Sequence, residues 1–260
     1  MAKRAAETAL WARVATQRRW AERFGSTPRR RPEPCPPTDV LGTAAQWRRS
    51  VAEARSLHLP LHFDRPKNWD ALGAVATVLA ELPELAEGGN QAKVLDAGSA
   101  RYSPILPWLR LYGLSELVGN NLEFGRPVLH DGVRFEYGDI TATTYPDGAF
   151  DAVTCMSVIE HGVPVEAFLR ESARIVRPGG LLVVSTDYDA DPPNTAGIRM
   201  YGQQVHIYSP AEIEALVDQA AEHGLRLLGD LRLDHAERPV HWDRTGLDYT
   251  FIRLSFRRAG

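Results

Sequence analysis

Two side chains of the 260-residue sequence stand where acid–base chemistry is easiest to arrange. His161 comes after the apolar run Phe150-Asp151-Ala152-Val153-Thr154-Cys155-Met156-Ser157, and Asp187 comes after Leu181-Leu182-Val183-Val184-Ser185-Thr186. Both runs read as buried strands, and groups at the carboxyl ends of such strands face the ligand cleft of an open α/β sheet. An imidazole there titrates near neutral pH and can take a proton from a bound hydroxyl, with the aspartate orienting it. Asp187, Asp189 and Asp191 could instead hold a divalent cation or belong to a polar loop. A third place for chemistry is Lys93-Val94-Leu95-Asp96-Ala97-Gly98-Ser99-Ala100, an apolar run that stops at an acid and then a glycine. It reads as a strand opening into a turn where a nucleotide-like cofactor approaches the backbone closely.

These groups need a scaffold, and the order of segments supplies one. Glu116-Leu117-Val118-Gly119 ends in Asn120-Asn121, Val133 through Ile140 ends in an Asp-apolar pair at Asp139-Ile140, and a Pro178-Gly179-Gly180 turn precedes Leu181. Strands separated by helix-length segments predict a doubly wound, mostly parallel sheet.

The motifs resemble the class I S-adenosylmethionine-dependent methyltransferases, in particular the small-molecule group often called type 11. Val94 to Gly98 is similar to that family's first motif, and Tyr145-Pro146-Asp147-Gly148-Ala149-Phe150-Asp151 to the entry of its fourth strand. Val158-Ile159-Glu160-His161 is similar to the segment directly after that strand. Arg174-Ile175-Val176-Arg177-Pro178-Gly179-Gly180 is similar to the turn before the fifth strand, and the likeness spans about residues 68 to 260. It implies a seven-stranded Rossmann-like sheet with the last strand antiparallel, with Leu225-Arg226-Leu227-Leu228 as sixth strand and Tyr249 to Phe256 as last. The implied cofactor is S-adenosyl-L-methionine, held by Asp96, Gly98, Ser99, Ala100, Asn121, Leu122, Asp139, Ile140, Met156 and Ser157. The implied chemistry is methyl transfer to a hydroxyl of a sugar or sugar-bearing metabolite, with His161 as base and Asp187 orienting it. Two departures stand out: Ala100 and Tyr102 replace the usual further glycines, and Asn121 replaces the acid that grips the ribose, leaving Asn121 or Glu123 for that task.

Substrate contacts are expected from Tyr188, Tyr201, His206 and Trp242, since aromatic and hydrogen-bonding side chains suit a carbohydrate. Ser209 should cap a helix beginning at Pro210, and Pro239 to Asp243 should be a loop. Residues 1–60 read as an N-terminal extension and 61–260 as the catalytic domain. Within the extension a helix is expected over Ala5 to Phe24, an extended Pro/Arg-rich linker over Pro28 to Pro37, and a second helix from about Thr43 to Leu57.

A net charge of −3 offers no broad attraction to nucleic acid or anionic membrane, and no apolar run is long enough to span a bilayer. The expected location is the cytoplasm. The expected partner is a small molecule, carbohydrate-containing as the resemblance implies, with a homodimer left open. RNA or protein methylation through the basic N-terminus, and a cofactor-binding protein without turnover, remain as alternatives. Cys155 in the fourth strand reads as a buried hydrophobe, and no Cys/His spacing suggests zinc.

Overall fold

The computed structural model describes residues 5, 7–16, 30–82, 85, 91–200 and 202–260. Residues 7–16 form α1, and the rest of the helix expected as far as Phe24 lies outside the described residues, as does Tyr201. The remaining helices are α2 (Ala44–Ser56), α3 (Lys67–Glu81), α4 (Ile105–Leu111), α5 (Val165–Ile175) and α6 (Pro210–Glu222).

The core strands are β2 (Lys93–Ala97), β3 (Glu116–Asn121), β5 (Val133–Tyr137), β6 (Phe150–Met156), β7 (Val176–Tyr188), β10 (Leu225–Leu227) and β12 (Leu247–Arg258). β1 (Asp39–Val40), β4 (Val128–His130) and β11 (Val240–Trp242) extend this to a ten-stranded sheet. β8 (Arg199–Met200) and β9 (Gln203–Gln204) form a separate hairpin.

The order β5-β3-β2-β6-β7 is parallel throughout, and β12 runs antiparallel to β7. The chain reverses its direction of travel across the sheet between β2 and β6, so the crevice for a ligand lies above their carboxyl ends.

Alternation along the strands divides the core. Val94, Leu117, Ala152, Leu181 and Val183 face α1, α3 and α4, while Leu95, Val118, Val153, Leu182 and Val184 face α5 and α6. With both faces covered, these strands read as continuous apolar runs.

Three expectations change. The Pro178-Gly179-Gly180 turn is absorbed into β7, which starts at Val176 and carries an irregularity opposite Phe150–Ala152, with Gly179 at φ +76°. The expected loop around Val240-His241-Trp242 is strand β11, because the outer edge of β12 would otherwise leave backbone groups unpaired. That edge is covered in turn by β11, β1 and β10.

From Arg30 to Pro37 the Pro/Arg-rich segment is a packed strap rather than a linker, Pro28 and Arg29 lying outside the described residues. Arg30 pairs with Glu53, Arg31 donates to the Leu79 carbonyl at 2.6 Å, and the Pro36 carbonyl accepts from the buried Arg253 at 2.7 Å. The expected second helix is present: α2 is capped by Thr43, whose amide donates to Gln46 Oε1 at 2.8 Å.

Candidate functional site

Gly98 turns the chain at φ +71°, and a Cβ there would press on Val158 at 2.7 Å, so only glycine fits. Two asparagines at the end of β3 hold this turn. Asn120 Oδ1 accepts from the Gly98 amide at 3.2 Å, and Asn121 Nδ2 donates to the carbonyls of Gly98 and Ser99 at 3.2 and 3.0 Å. Asn121 Oδ1 in turn accepts from the Glu123 amide at 2.8 Å. Both amide hydrogens of Asn121 are thereby committed to the turn, which leaves Glu123, exposed two residues onward, as the carboxylate open to a diol. Trp11 Nε1 donates to the Arg101 carbonyl at 2.9 Å, so α1 braces the bulky Ala100–Tyr102 stretch.

Around this turn lie other residues expected to hold the cofactor. Asp96 is buried and accepts from Thr154 Oγ1 at 2.8 Å; burial pushes its carboxyl up to about 6. Leu122 is 62% exposed at the end of β3, beside the end of β5, where Asp139 Oδ1 accepts from the Thr141 amide at 2.9 Å and Ile140 is partly buried. Met156 ends β6, and Ser157 comes next with φ +54°, a conformation rare outside glycine and frequent at ligand sites.

At the other side of this crevice is a cluster of ionisable groups. Lys67, the first residue of α3, donates to Ser157 Oγ and places its ammonium 4.0 Å from the centre of the Phe251 ring. Burial alone would lower its pKa, yet the fields of Asp187, Asp70 and Glu160 raise it. Asp70 accepts from Ser185 Oγ at 2.8 Å, and Glu160 accepts from Thr186 Oγ1 at 3.1 Å. Burial, and then the neighbouring Glu160, raise the Asp187 carboxyl, while Lys67, His161 and the Tyr249 hydroxyl pull the other way. Asp187 Oδ1 is buried with no hydrogen-bond partner among the described residues. His161 ends a short 3-10 turn, Ile159–His161, directly after β6, and it is close enough to Asp187 to favour that carboxylate's ionised form. The structure therefore brings His161, Asp187 and Lys67 to one end of β6 and β7.

Other expected contacts lie elsewhere. Tyr188 has the opposite facing from Asp187: it is fully buried against the α5–α6 core, and its hydroxyl donates to the Leu233 carbonyl at 2.7 Å. His206 is engaged at the start of α6, 3.0 Å from Glu212 Oε1 and edge-on to Tyr208. Trp242 packs against the cluster of Leu41, Trp69, Ile207, Val240, Tyr249 and Phe251, one layer behind Lys67. Gln203 of the β8–β9 hairpin lies over Gly162, beside His161. Asp189 is claimed by Arg238, at 2.7 Å, and no cluster able to hold a metal ion occurs among the described residues.

Lys67 is absent from the sequence-based site because a lysine opening a helix ordinarily reads as solvated. The available signal was Asn68 and Asp70, polar residues inside an apolar helical stretch and both fully buried in the fold.

A family model, "Methyltransferase domain", matches residues 96–184, from Asp96 through most of β7. Among solved structures, geranyl diphosphate C-methyltransferase of Streptomyces coelicolor superposes with a TM-score of 0.53 at 16% identity, covering 82% of this chain and 83% of that one. The 1,6-didemethyltoxoflavin-N1-methyltransferase of Burkholderia thailandensis superposes with a TM-score of 0.50 at 16% identity, over 84% and 87%.

The fold is that of the class I methyltransferases.

In sequence, the chain matches curated relatives over short stretches. The 27-O-demethylrifamycin SV methyltransferase of Amycolatopsis mediterranei is 30% identical over 118 residues, 45% of this chain and 36% of that protein. The ubiquinone biosynthesis O-methyltransferase of Rhizobium leguminosarum is 44% identical over 57 residues, 21% and 23% of the two chains. The chain thus spans about a third of the length of these relatives or less. The family match covers the glycine turn, β3 to β6 and most of β7, and leaves out α1, α2, all of α3 and everything after Val184. Among the described residues no helix is long and apolar enough to cross a membrane.

Proposed function

We propose that the protein is an S-adenosylmethionine-dependent methyltransferase that acts on a hydroxyl of a small molecule, a sugar or glycosylated metabolite, with His161 as general base. The observation that carries this reading is the juxtaposition of His161 with Asp187, whose Oδ1 is buried and unpartnered among the described residues at the end of β7. Two matched relatives, a 27-O-demethylrifamycin SV methyltransferase and a ubiquinone biosynthesis O-methyltransferase by their names, support hydroxyl methylation.

The turn fits the cofactor: Gly98 keeps side-chain bulk off the backbone, and Leu122 offers an exposed apolar face beside Asp139-Ile140. Asp96, Gly98 to Ala100, Leu122, Asp139, Ile140, Met156 and Ser157 would hold it, with Glu123 rather than Asn121 toward the ribose. S-adenosylmethionine supplies a methyl group already activated on a sulfonium, so the protein's contribution is alignment and proton removal. The neutral imidazole of His161 accepts the acceptor's hydroxyl proton as the oxygen takes the methyl group. The resulting imidazolium is stabilised by the Asp187 carboxylate. Lys67 and the imidazolium pull that carboxyl toward its ionised form, opposing burial and Glu160.

The test is His161→Gln, assayed for transfer of labelled methyl groups to a panel of glycosylated acceptors. Turnover should fall ~10²–10⁴-fold with S-adenosylhomocysteine affinity unchanged. Turnover close to the parent's would remove His161 as base.

A further inference from the structure

A cavity of about 330 Å³ lies outside the methyl-transfer machinery, lined by Arg13 of α1, by Arg55 and His58 at the end of α2, and by His62 and Arg65 of the following segment. No carboxylate lines it among the described residues. Arg174, Arg238 and Arg257 each pair with an acid elsewhere, whereas the guanidinium groups of Arg13, Arg55 and Arg65 have no ion pair or hydrogen bond among the described residues. Three cationic groups converging on one concavity repel each other unless an anion sits among them.

The backbone adds a separate sign. His58 sits at φ +58°, in the left-handed conformation that ends α2, where the Leu59 amide closes on the Ala54 carbonyl at 2.8 Å. Glycine would serve there without strain, and histidine costs about 1 kcal/mol in that conformation. The ring that the sequence keeps there lines the cavity.

The cavity is joined to the methyl-transfer site by short covalent and packing links. The rings of His62 and Phe63 stack at 4.5 Å, and both pack against Tyr102, four residues past Gly98. Two residues beyond Arg65, Lys67 reaches Ser157 at the end of β6. Phe63 is 59% exposed on the rim, a flat apolar face for the organic part of a ligand.

We propose that this cavity binds a phosphate or diphosphate group carried by the methyl acceptor, with Arg13, Arg55 and Arg65 as its ligands. The substrate is then a phosphorylated metabolite whose acceptor hydroxyl lies toward His161. Naming the ligand as the acceptor rests on the methyl-transfer reading; the binding of the anion does not. Guanidinium groups favour phosphate oxygens because they donate in a planar fork and remain charged at all relevant pH values.

The experiment is calorimetric titration of the full chain with inorganic diphosphate, inorganic phosphate and citrate at fixed ionic strength, on the parent protein and on the double variant Arg55→Gln/Arg65→Gln. S-adenosylhomocysteine is titrated into each sample as a control for fold and cofactor site. Diphosphate should bind the parent more tightly than phosphate, and the double variant should lose ~10-fold or more while the control is unchanged. No heat from diphosphate, or equal binding by the variant, overturns the site. Citrate binding as tightly as diphosphate overturns its assignment to phosphate. Absence of S-adenosylhomocysteine binding to a parent that still binds diphosphate would sink the methyl-transfer reading and leave the anion site standing.

Discussion

The side-chain amide of Asn121 donates to the Ser99 carbonyl at 3.0 Å, tying the end of β3 to the glycine turn after β2. An asparagine at this position resembles a weakened ribose ligand in sequence, but its geometry makes it a strut of the turn.

Asn121→Asp should therefore be harmful. The carboxylate would face the carbonyls of Gly98 and Ser99 with no hydrogen to donate, leaving two acceptors unsatisfied at a cost of about 1–3 kcal/mol. A fall in Tm of several degrees is expected, with S-adenosylhomocysteine affinity no better than the parent's. Tighter binding without loss of stability would restore position 121 as the ribose ligand.

Lys67→Met removes the cation shared by Asp187, Asp70 and Glu160. Stripping one partner from a buried charge cluster costs about 3–5 kcal/mol when the acids are ionised. Protonated acids need no counter-ion, so the Tm deficit should be small near pH 5 and large at pH 8. A deficit independent of pH would mean that Lys67 acts by packing on Phe251 alone.

Asp187 gives a pH dependence with a definite sign. Its folded-state pKa is raised above the ordinary value, first by burial and then by Glu160. A raised carboxyl leaves stability intact below its unfolded pKa and erodes it as pH climbs from about 4 toward the folded value, because the unfolded chain ionises first. Asp187→Asn should flatten that decline, so the variant equals or exceeds the parent in Tm at pH 8 while losing turnover. A variant less stable at every pH would show that the carboxylate is well compensated in the fold.

Gly73→Ala tests the strap that closes the sheet edge. A Cβ at position 73 would meet Arg253 Nη1 at 1.9 Å, and Arg253 cannot swing aside, being fully buried over Trp69 and bonded to the Pro36 carbonyl. Overpacking of this kind costs about 1–3 kcal/mol, a Tm loss of roughly 2–12 °C at this chain length. An unchanged Tm would show that the strap yields easily.

The parallel sheet and its ligand-bearing end are legible in the residues alone, because strands covered on both faces must be apolar along their whole length. Runs such as Val94-Leu95 and Leu181 to Val184 are legible without any partner in view. The cap at Ser209 is equally local, set by backbone geometry within a few residues, and so is the left-handed turn at Gly98, although the close approach of Val158 there is tertiary. Strand alternation also separates Asp187 from Tyr188, against the expectation that both face the substrate.

The rest depends on which distant segments meet in the folded chain. Lys67 becomes part of the site because α3 begins above β6, 90 positions from Ser157. Asn121 becomes a strut because β3 ends beside the turn of β2. Arg253 is tolerated in the core because Trp69 and Pro36 surround its guanidinium, and the three arginines of the cleft converge because α1 and α2 fold onto the same shoulder. Charge fields and hydrogen bonds act through space over a few ångströms, so their partners cannot be read from positions along the chain.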